Sequence, residues 1–561
     1  MDEEAPVRLR AAGAGEALLG AALLLAPWPY GSAPDWARYA LAGAALLASA
    51  LGLLGAGRLP AVALPLGALL AWGLLQAVLG ISVAPVSTVE ASLLVAAFGG
   101  TVVFASAQAR SHRAALRLAA LVLAAVGLQA AYGAYAAAGG PRVYGQTSET
   151  TTMPFGSYVN HNHFAGLVGM GAVLALSLAL GHARRSRNLT PRAIAYGGLA
   201  LAFVAAHLAS RSRGGLLALA AGLVVLAALW ARGRGKRLAL GLAAAAALVA
   251  FGVAAVPAKS RARLATLLEG TSDPSARYRI DVFAYTLRLA ASRPLTGSGL
   301  GAYADAVPAV KRAHGEVRVT HAESDALEFL AEGGLVGAAI LAWLASVAAG
   351  GLRDRLAHGH DPLRQALAMG AAAAVATLLF HSLVDFNLRL PANALVFSVL
   401  LGLAASPREA EAGVGGRLSC AVVSVCLAAA AATAAWRAQG AWMLDRALDR
   451  RPPEVRIAAL DRALRWHPYL AEGHRARGVG LRAVAAGDPR RLARAEADLS
   501  RAVRLRPAWG EAWAELAWTR LLGADRDGAR SAMSRAVAMD PTHVAIRKSE
   551  AAFTEALGAR K

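Results

Sequence analysis

The sequence predicts an all-α fold: a polytopic membrane helical bundle followed by a C-terminal helical-repeat domain. Three observations predict it. Hydrophobic residues make up 57% of the 561 residues and mean hydropathy is +0.45, too apolar for a soluble chain with an ordinary surface. Apolar runs of roughly 17–25 residues, long enough to cross ~30 Å of hydrocarbon as helices, recur through residues 1–436. Residues 437–561 then change to amphipathic, Arg-rich helical patterning.

Thirteen candidate runs, centred near residues 20, 46, 70, 98, 125, 173, 200, 222, 247, 341, 375, 398 and 427, give about 12–13 spans. Several are rich in Ala and Gly, which suits close helix packing in lipid. The division between the runs near 375 and 398 rests on a short turn at 387–391. An N-terminal signal peptide is disfavoured, because the first apolar run is followed by others that read as spans. Cys420 and Cys426 both lie in one apolar helix and read as small buried side chains; neither a disulfide framework nor a metal site follows from them.

The net charge of +22 and pI near 11.0 suggest nucleic acid at first sight. Its placement argues otherwise, since most of the excess sits in short loops, as membrane topology requires. With Arg8 and Arg10 on the cytoplasmic side, the basic loops at 58, 110–117, 184–192, 232–237 and 353–364 all fall inside. The turns at 31–35, 81–90, 138–162, 211–213 and 386–391 then fall outside, as does a polar island at 258–332. The segment after the last span, from 437 to 561, is also placed outside.

In that tail Pro507 and Pro541 stand 34 residues apart, the period of a tetratricopeptide repeat. Arg501–Pro507 matches Arg535–Pro541, and Arg462–Pro468 reads as an earlier half-repeat. The 39-residue spacing from Pro468 to Pro507 implies an insertion, placed at 485–490. The alternative is an unrelated helical hairpin domain; repeat modules stack face to face and bind partners or stabilise an assembly, and catalysis is not expected there.

Charged groups inside a membrane protein are costly, so a multispan chain that keeps a large polar loop has work for it. The island carries Arg277, Arg279, Arg293, His314, His321 and Glu323. Its Gly297, Gly299 and Gly301 lack a surrounding strand–turn–helix unit, so they read as a flexible turn and not as a dinucleotide fingerprint. His321 and Glu323 are candidate general bases just before the chain re-enters the membrane. Elsewhere on the outer face, Asn160, His161, Asn162 and His163 open one span; either they only cap the helix at headgroup level or they serve a site. Arg211 and Arg213 open another span; one either only snorkels to lipid phosphate or serves the site, and the other, beside free helix N–H groups, would make an anion site. His381 and Asp385, four apart at a span end, either face the same cavity or form a packing pair. Arginines with a nearby base suit transfer from a diphosphate: guanidinium forks grip phosphate bidentately, and a carboxylate or imidazole takes the acceptor's hydroxyl proton. No metal-binding motif, P-loop or nucleophile elbow appears.

Taken in order, VNHNHFAG, SRSRGGLLAL, SARYRIDVF, RPLTGSGLGAY, HAESDALEFLAEGGLVG and HSLVDFNL resemble the bacterial O-antigen ligase/polymerase superfamily, over roughly residues 90–405. The resemblance implies a helical-bundle glycosyltransferase of the bacterial inner membrane. It would move a glycan from an undecaprenyl-diphosphate carrier to a hydroxyl acceptor on lipid A core, a glycan or a protein, at the outer face and without a required metal or other cofactor. The ligases' R-x-x-x-L motif falls on Arg213 through Leu217, and their second essential arginine matches Arg279. Their catalytic histidine opens an H-[NSQ]-x9-G-x-x-G pattern; counting back from Gly334 and Gly337 puts that position at Glu323, followed by Ser324. His321 lies two residues upstream, so either Glu323 takes over as base or His321 reaches the site from a shifted turn. The spacing favours Glu323.

Within this resemblance a repeat-unit polymerase and a protein O-oligosaccharyltransferase are near neighbours of a ligase. A transporter or flippase for a lipid-linked sugar would show charges in mid-span and internally repeated halves, and neither is evident. A non-catalytic scaffold would leave the outer arginines replaceable.

Overall fold

The computed structural model describes residues 5–138, 142–144, 146–147, 154–231, 274–406 and 413–559. The run near 247, the basic loop at 232–237 and the part of the polar island at 258–273 lie outside the described residues. The other twelve apolar runs are helices: α1 Ala5–Leu25, α2 Asp35–Leu54, α3 Ala63–Val78, α4 Pro85–Gln108, α5 His112–Ala138, α6 His161–Ser186, α7 Pro191–Ala209 and α8 Arg213–Ala231. After α9 Pro274–Ser292 and the short α10 Tyr303–Ala306 come α11 Asp325–His358, α12 Pro362–His381, α13 Pro391–Ala405 and α14 Arg417–Leu448. Among the described residues nine helices are long and apolar enough to cross a membrane: α2, α4 to α8, α11, α12 and α14. The chain is a polytopic all-α membrane protein. Two expected spans are shorter than a full crossing, with 16 residues in α3 and 15 in α13.

Burial shows how the bundle is arranged. The spanning window of α6 is 89% buried, against 17% for α11 and 22% for α14, so α6 is the axis and the other two are peripheral. Helices α7, α8 and α12 pack on α6, while α14 packs on α2. Cys420 is buried against this core, but Cys426 is exposed on the outer surface of α14, contrary to the expectation that both are buried. Two-residue ladders add local ties, one pairing Leu59 with Val414 and Pro60 with Gly413.

The two ends of the bundle differ. At one end, arginines close on backbone carbonyls: Arg110 Nη1, in a short loop, donates to Arg58 O at 3.1 Å, and Arg355 Nε, near the end of α11, to Ser406 O at 3.0 Å. At the opposite end lie the starts of α6, α8, α11 and α13, the end of α12 and the island. The island has its own small core, with Val282, Tyr285 and Leu289 of α9 against Tyr303, Val307, Val319 and Ala322.

The glycine-rich turn of the island is not flexible, contrary to its sequence reading. Gln76 of α3 fastens it: Nε2 donates to Thr296 O (2.7 Å) and Glu332 O (2.8 Å), and Oε1 accepts from Leu300 N (3.0 Å). Gly334, at φ +64°, kinks α11 where this turn crosses it, and a Cβ there would sit 2.3 Å from Leu295 O. Gly297 faces the kink from the other side, where a Cβ would lie 2.2 Å from Glu332 O. Backbone meets backbone at both positions, so no side chain can yield to make room.

Helix α14 continues past residue 436 without a break and leads to six more helices: α15 Pro453–Trp466, α16 Ala471–Ala483, α17 Pro489–Leu505, α18 Gly510–Leu522, α19 Arg526–Met539 and α20 Val544–Ala559. Pro468, Pro507 and Pro541 each precede a helix start by three residues. The longer first spacing resolves into a 484–488 connection, longer than that at 523–525, and a 17-residue α17 against a 14-residue α19. The tail rests on the island. Arg506 Nε meets Asp305 Oδ1 at 2.7 Å, Lys311 Nζ meets Asp540 Oδ2 at 3.1 Å, and Val544 N donates to Gly315 O at 3.1 Å.

Candidate functional site

Three helix starts and one helix end converge on the site. Asn160 caps α6, its Oδ1 accepting from Asn162 N at 2.9 Å. The same segment holds the α7–α8 corner: His161 Nδ1 lies 2.8 Å from Ser210 O, and Ser212 Oγ donates to Asn162 Oδ1 at 2.8 Å. Ser212 also accepts from Gly215 N at 3.1 Å, so a buried hydroxyl caps α8 immediately before Arg213. Arg211 sits exposed on this corner in the left-handed region, at φ +60°. The corner abuts the end of α12, where a Cβ on Gly214 would be 3.2 Å from Val384 and 3.5 Å from His381 Nε2.

His381 and Asp385 do not form the pair their spacing suggested. Asp385 Oδ1 instead lies 3.2 Å from His163 Nε2, both side chains buried, and His381 has neither ring nitrogen hydrogen-bonded. The turn after α12 bends Asp385 away from His381's own helix face and toward α6. Burial pushes the Asp385 carboxyl up, but contact with His163 and the charges of His381 and Arg279 overcome it and hold Asp385 below the usual carboxylate range.

The turn at 382–391 then carries the start of α11. Asp325 N donates to Ser382 O (2.9 Å) and Asp385 O (3.1 Å), and Asp325 Oδ2 accepts from Ser382 Oγ (2.6 Å) and Leu388 N (2.9 Å). Ser324 caps the helix. One residue earlier, Glu323 occupies φ +55°, where a side chain other than glycine is uncommon. Such backbone persists only where its surroundings over-determine it, and it concentrates at functional sites. Here it aims the carboxylate at Arg279 of α9, with Oε2 3.4 Å from Nε. Both remain in part accessible, at 21% and 34% of their side-chain surface. Burial raises the Glu323 carboxyl above its ordinary range; Asp385 adds to the rise, and Arg279, His163 and His321 oppose it. A carboxylate near 4 is a weak base, and raising it brings its proton affinity closer to what a general base needs.

His321 is held differently. Its Nδ1 lies 3.1 Å from Glu328 Oε1 and its ring stacks on Phe386 at 4.5 Å, with His163 edge-on to the same phenyl at 4.8 Å. Glu328 also accepts from Ala322 N at 2.8 Å and faces Arg389 Nε at 3.1 Å. Arg389 reaches on to Glu332 Oε2 at 2.6 Å, and Glu332 Oε1 accepts from Tyr303 N at 3.1 Å. Burial disfavours the Arg389 charge, but Glu328, Glu332 and Asp325 hold it above its ordinary value. Sequence reasoning missed Arg389, Glu328 and Glu332. A signal existed, because Glu328 and Glu332 stand four apart on one helix face, with an arginine in the turn opposite.

The remaining island residues do structural work. Arg293 Nη1 donates to Ile81 O at 2.6 Å, and His314 Nε2 pairs with Asp281 Oδ2 at 2.9 Å. Arg277 is exposed. The structure therefore joins Arg279, Glu323, His321, His163 and Asp385 in one cluster. The α6 start and the α8 corner adjoin it, while Arg211 points away into the surroundings.

No curated protein matches this chain. Residues 197–342 match the family model described as O-antigen ligase. That stretch runs from α7 into α11 and holds Arg211, Arg213, Arg279, His321 and Glu323; the segments 160–163 and 381–385 fall outside it. Over those residues this multi-pass chain is similar to the O-antigen ligase family.

Proposed function

We propose that the protein transfers a glycan from an undecaprenyl-diphosphate carrier to a hydroxyl acceptor, with Glu323 as general base. The observation that carries this reading is the Glu323 carboxylate, held by left-handed backbone 3.4 Å from Arg279 and still accessible. The acceptor oxygen attacks the anomeric carbon as its proton passes to Glu323. The bond from that carbon to the phosphate oxygen breaks, and its electron pair leaves with the diphosphate. Arg279, Arg213 and the N–H groups opening α8 stabilise the departing charge. In this reading positive charge comes from arginines and no metal is required. His321 and the His163–Asp385 pair shape the wall beside the base.

The charge pattern supports an orientation as well. Short basic loops gather at the end away from the site, and the positive-inside rule places that end in the cytoplasm. The site and the tail that rests on it then face outward from the bacterial inner membrane. We read the tail as a tetratricopeptide-like module that presents a protein or glycan partner beside the site, supported by the Lys311–Asp540 and Arg506–Asp305 ties to the island.

Purified protein given a lipid-diphosphate oligosaccharide tests the reading, with lipid A core, a free glycan and a protein as separate acceptors. Transfer to one of them, with release of the carrier diphosphate, is expected. Movement of the lipid-linked sugar across a vesicle with no transfer to any acceptor would contradict it.

A further inference from the structure

Helix α14 begins at Arg417, and 20 residues at about 1.5 Å each bring it across about 30 Å to Arg437. That level is marked from both sides. Arg437 pairs with Glu90 in the first turns of α4 and lies over Tyr39 at the start of α2, 5.7 Å from the ring centroid. Trp436 is therefore at the edge of the hydrocarbon, where aromatic side chains form an interfacial belt.

Helix α15 turns back down toward this level. His467, which follows it, packs on Trp436 with ring centroids 4.7 Å apart. Close to His467, Trp466 is 67% exposed and Tyr469 50%, the latter with Arg501 over one part of its ring at 5.7 Å from the centroid. Two large aromatics exposed within one turn form a patch of the kind that marks an interaction surface. On the same side of α15 as Trp466 lie exposed Arg462, one turn earlier, and then Ala458 and Val455, with exposed Arg465 beside them. On α14 the exposed apolar face of Leu418, Val422 and Val425 leads up toward the same place.

We propose that the turn from Trp466 to Tyr469 is embedded in the headgroup layer of the bilayer, with Arg462 and Arg465 directed at lipid phosphates. The occupant of this surface is lipid, because the patch is continuous with the lipid-facing side of α14 and its flanking charge complements an anionic headgroup. The tail is thus fixed at three points: through α14, through the island, and through this turn. The proposal rests on the membrane spans and is independent of the catalytic reading.

Nitroxide labels test it on the full chain in nanodiscs of phosphatidylcholine and phosphatidylglycerol. Trp466→Cys and Tyr469→Cys would be made in a Cys420→Ala, Cys426→Ala background, with Val425→Cys as a mid-span reference and Asp527→Cys as a water reference. Collision with oxygen relative to a water-soluble nickel chelate reports depth. Both positions are expected to fall between the two references, at the headgroup boundary. A water-like result at either position, or shielding from both reagents as in a protein contact, overturns the proposal. A water-like result at Val425 itself would overturn the span assignment and the proposal with it.

Discussion

The exposed arginines of the basic end and the paired arginines of the site end use the same side chain in opposite ways. At the basic end Arg113 and Arg192 are exposed, and Arg185 lies 4.0 Å from Asp361 with more than half its side chain in contact with the surroundings. At the site end Arg389 spans two carboxylates that are 2% and 1% exposed, and Arg279 sits against a carboxylate on strained backbone. The first set acts through its sum and its side of the membrane, so single members are replaceable. The second acts through position, so they are not.

The largest effect expected from breaking this contrast is in Arg389→Gln. It leaves Glu328 and Glu332 buried without their cation, which costs about 3–5 kcal/mol. Thermal unfolding of the purified protein should show the loss, and a second variant that also replaces both glutamates by glutamine should recover part of it. Arg279→Gln comes next, with a fall in transfer of about 10²–10³-fold if its charge acts on the leaving diphosphate. It should also move the pH profile. The raised Glu323 carboxyl takes up a proton, and ceases to be a base, as pH falls through a value above the ordinary carboxylate range. Arg279 opposes that rise, so its removal should shift the acid limb of the rate further upward in pH. Lys311→Met would leave Asp540 without its cation at the tail–island contact, with Thr542 Oγ1 still donating to it; the expected cost is ~1–3 kcal/mol, read as faster proteolysis between tail and island. The smallest effect is expected at the other end, where Arg113→Gln and Arg192→Gln should each change stability by less than about 0.5 kcal/mol and leave transfer unchanged.

Much of this was legible in the sequence, for reasons that can be named. Apolar runs and short basic loops are local signals, and twelve runs became helices where expected. The spacing to Gly334 and Gly337 pointed at Glu323 because the pattern lies within one continuous segment, and the structure sets that carboxylate beside Arg279. What escaped depends on contacts between distant segments. Gln76 lies more than two hundred residues before the glycine turn it fastens, so nothing local marked that turn as rigid. His381 and Asp385 have helical spacing, but the helix ends between them and the chain turns Asp385 toward His163. Arg389 was read as part of a short outer turn, since its carboxylate partners belong to another helix.

The central claim is that Glu323, and not the more conspicuous His321, is the base. Transfer rates of purified Glu323→Gln and His321→Ala, measured side by side with a lipid-diphosphate glycan donor, test it most directly. Glu323→Gln is expected to lose transfer by about 10²–10⁴-fold, the usual contribution of a general base, while His321→Ala is only weakened. Full activity in Glu323→Gln would contradict it.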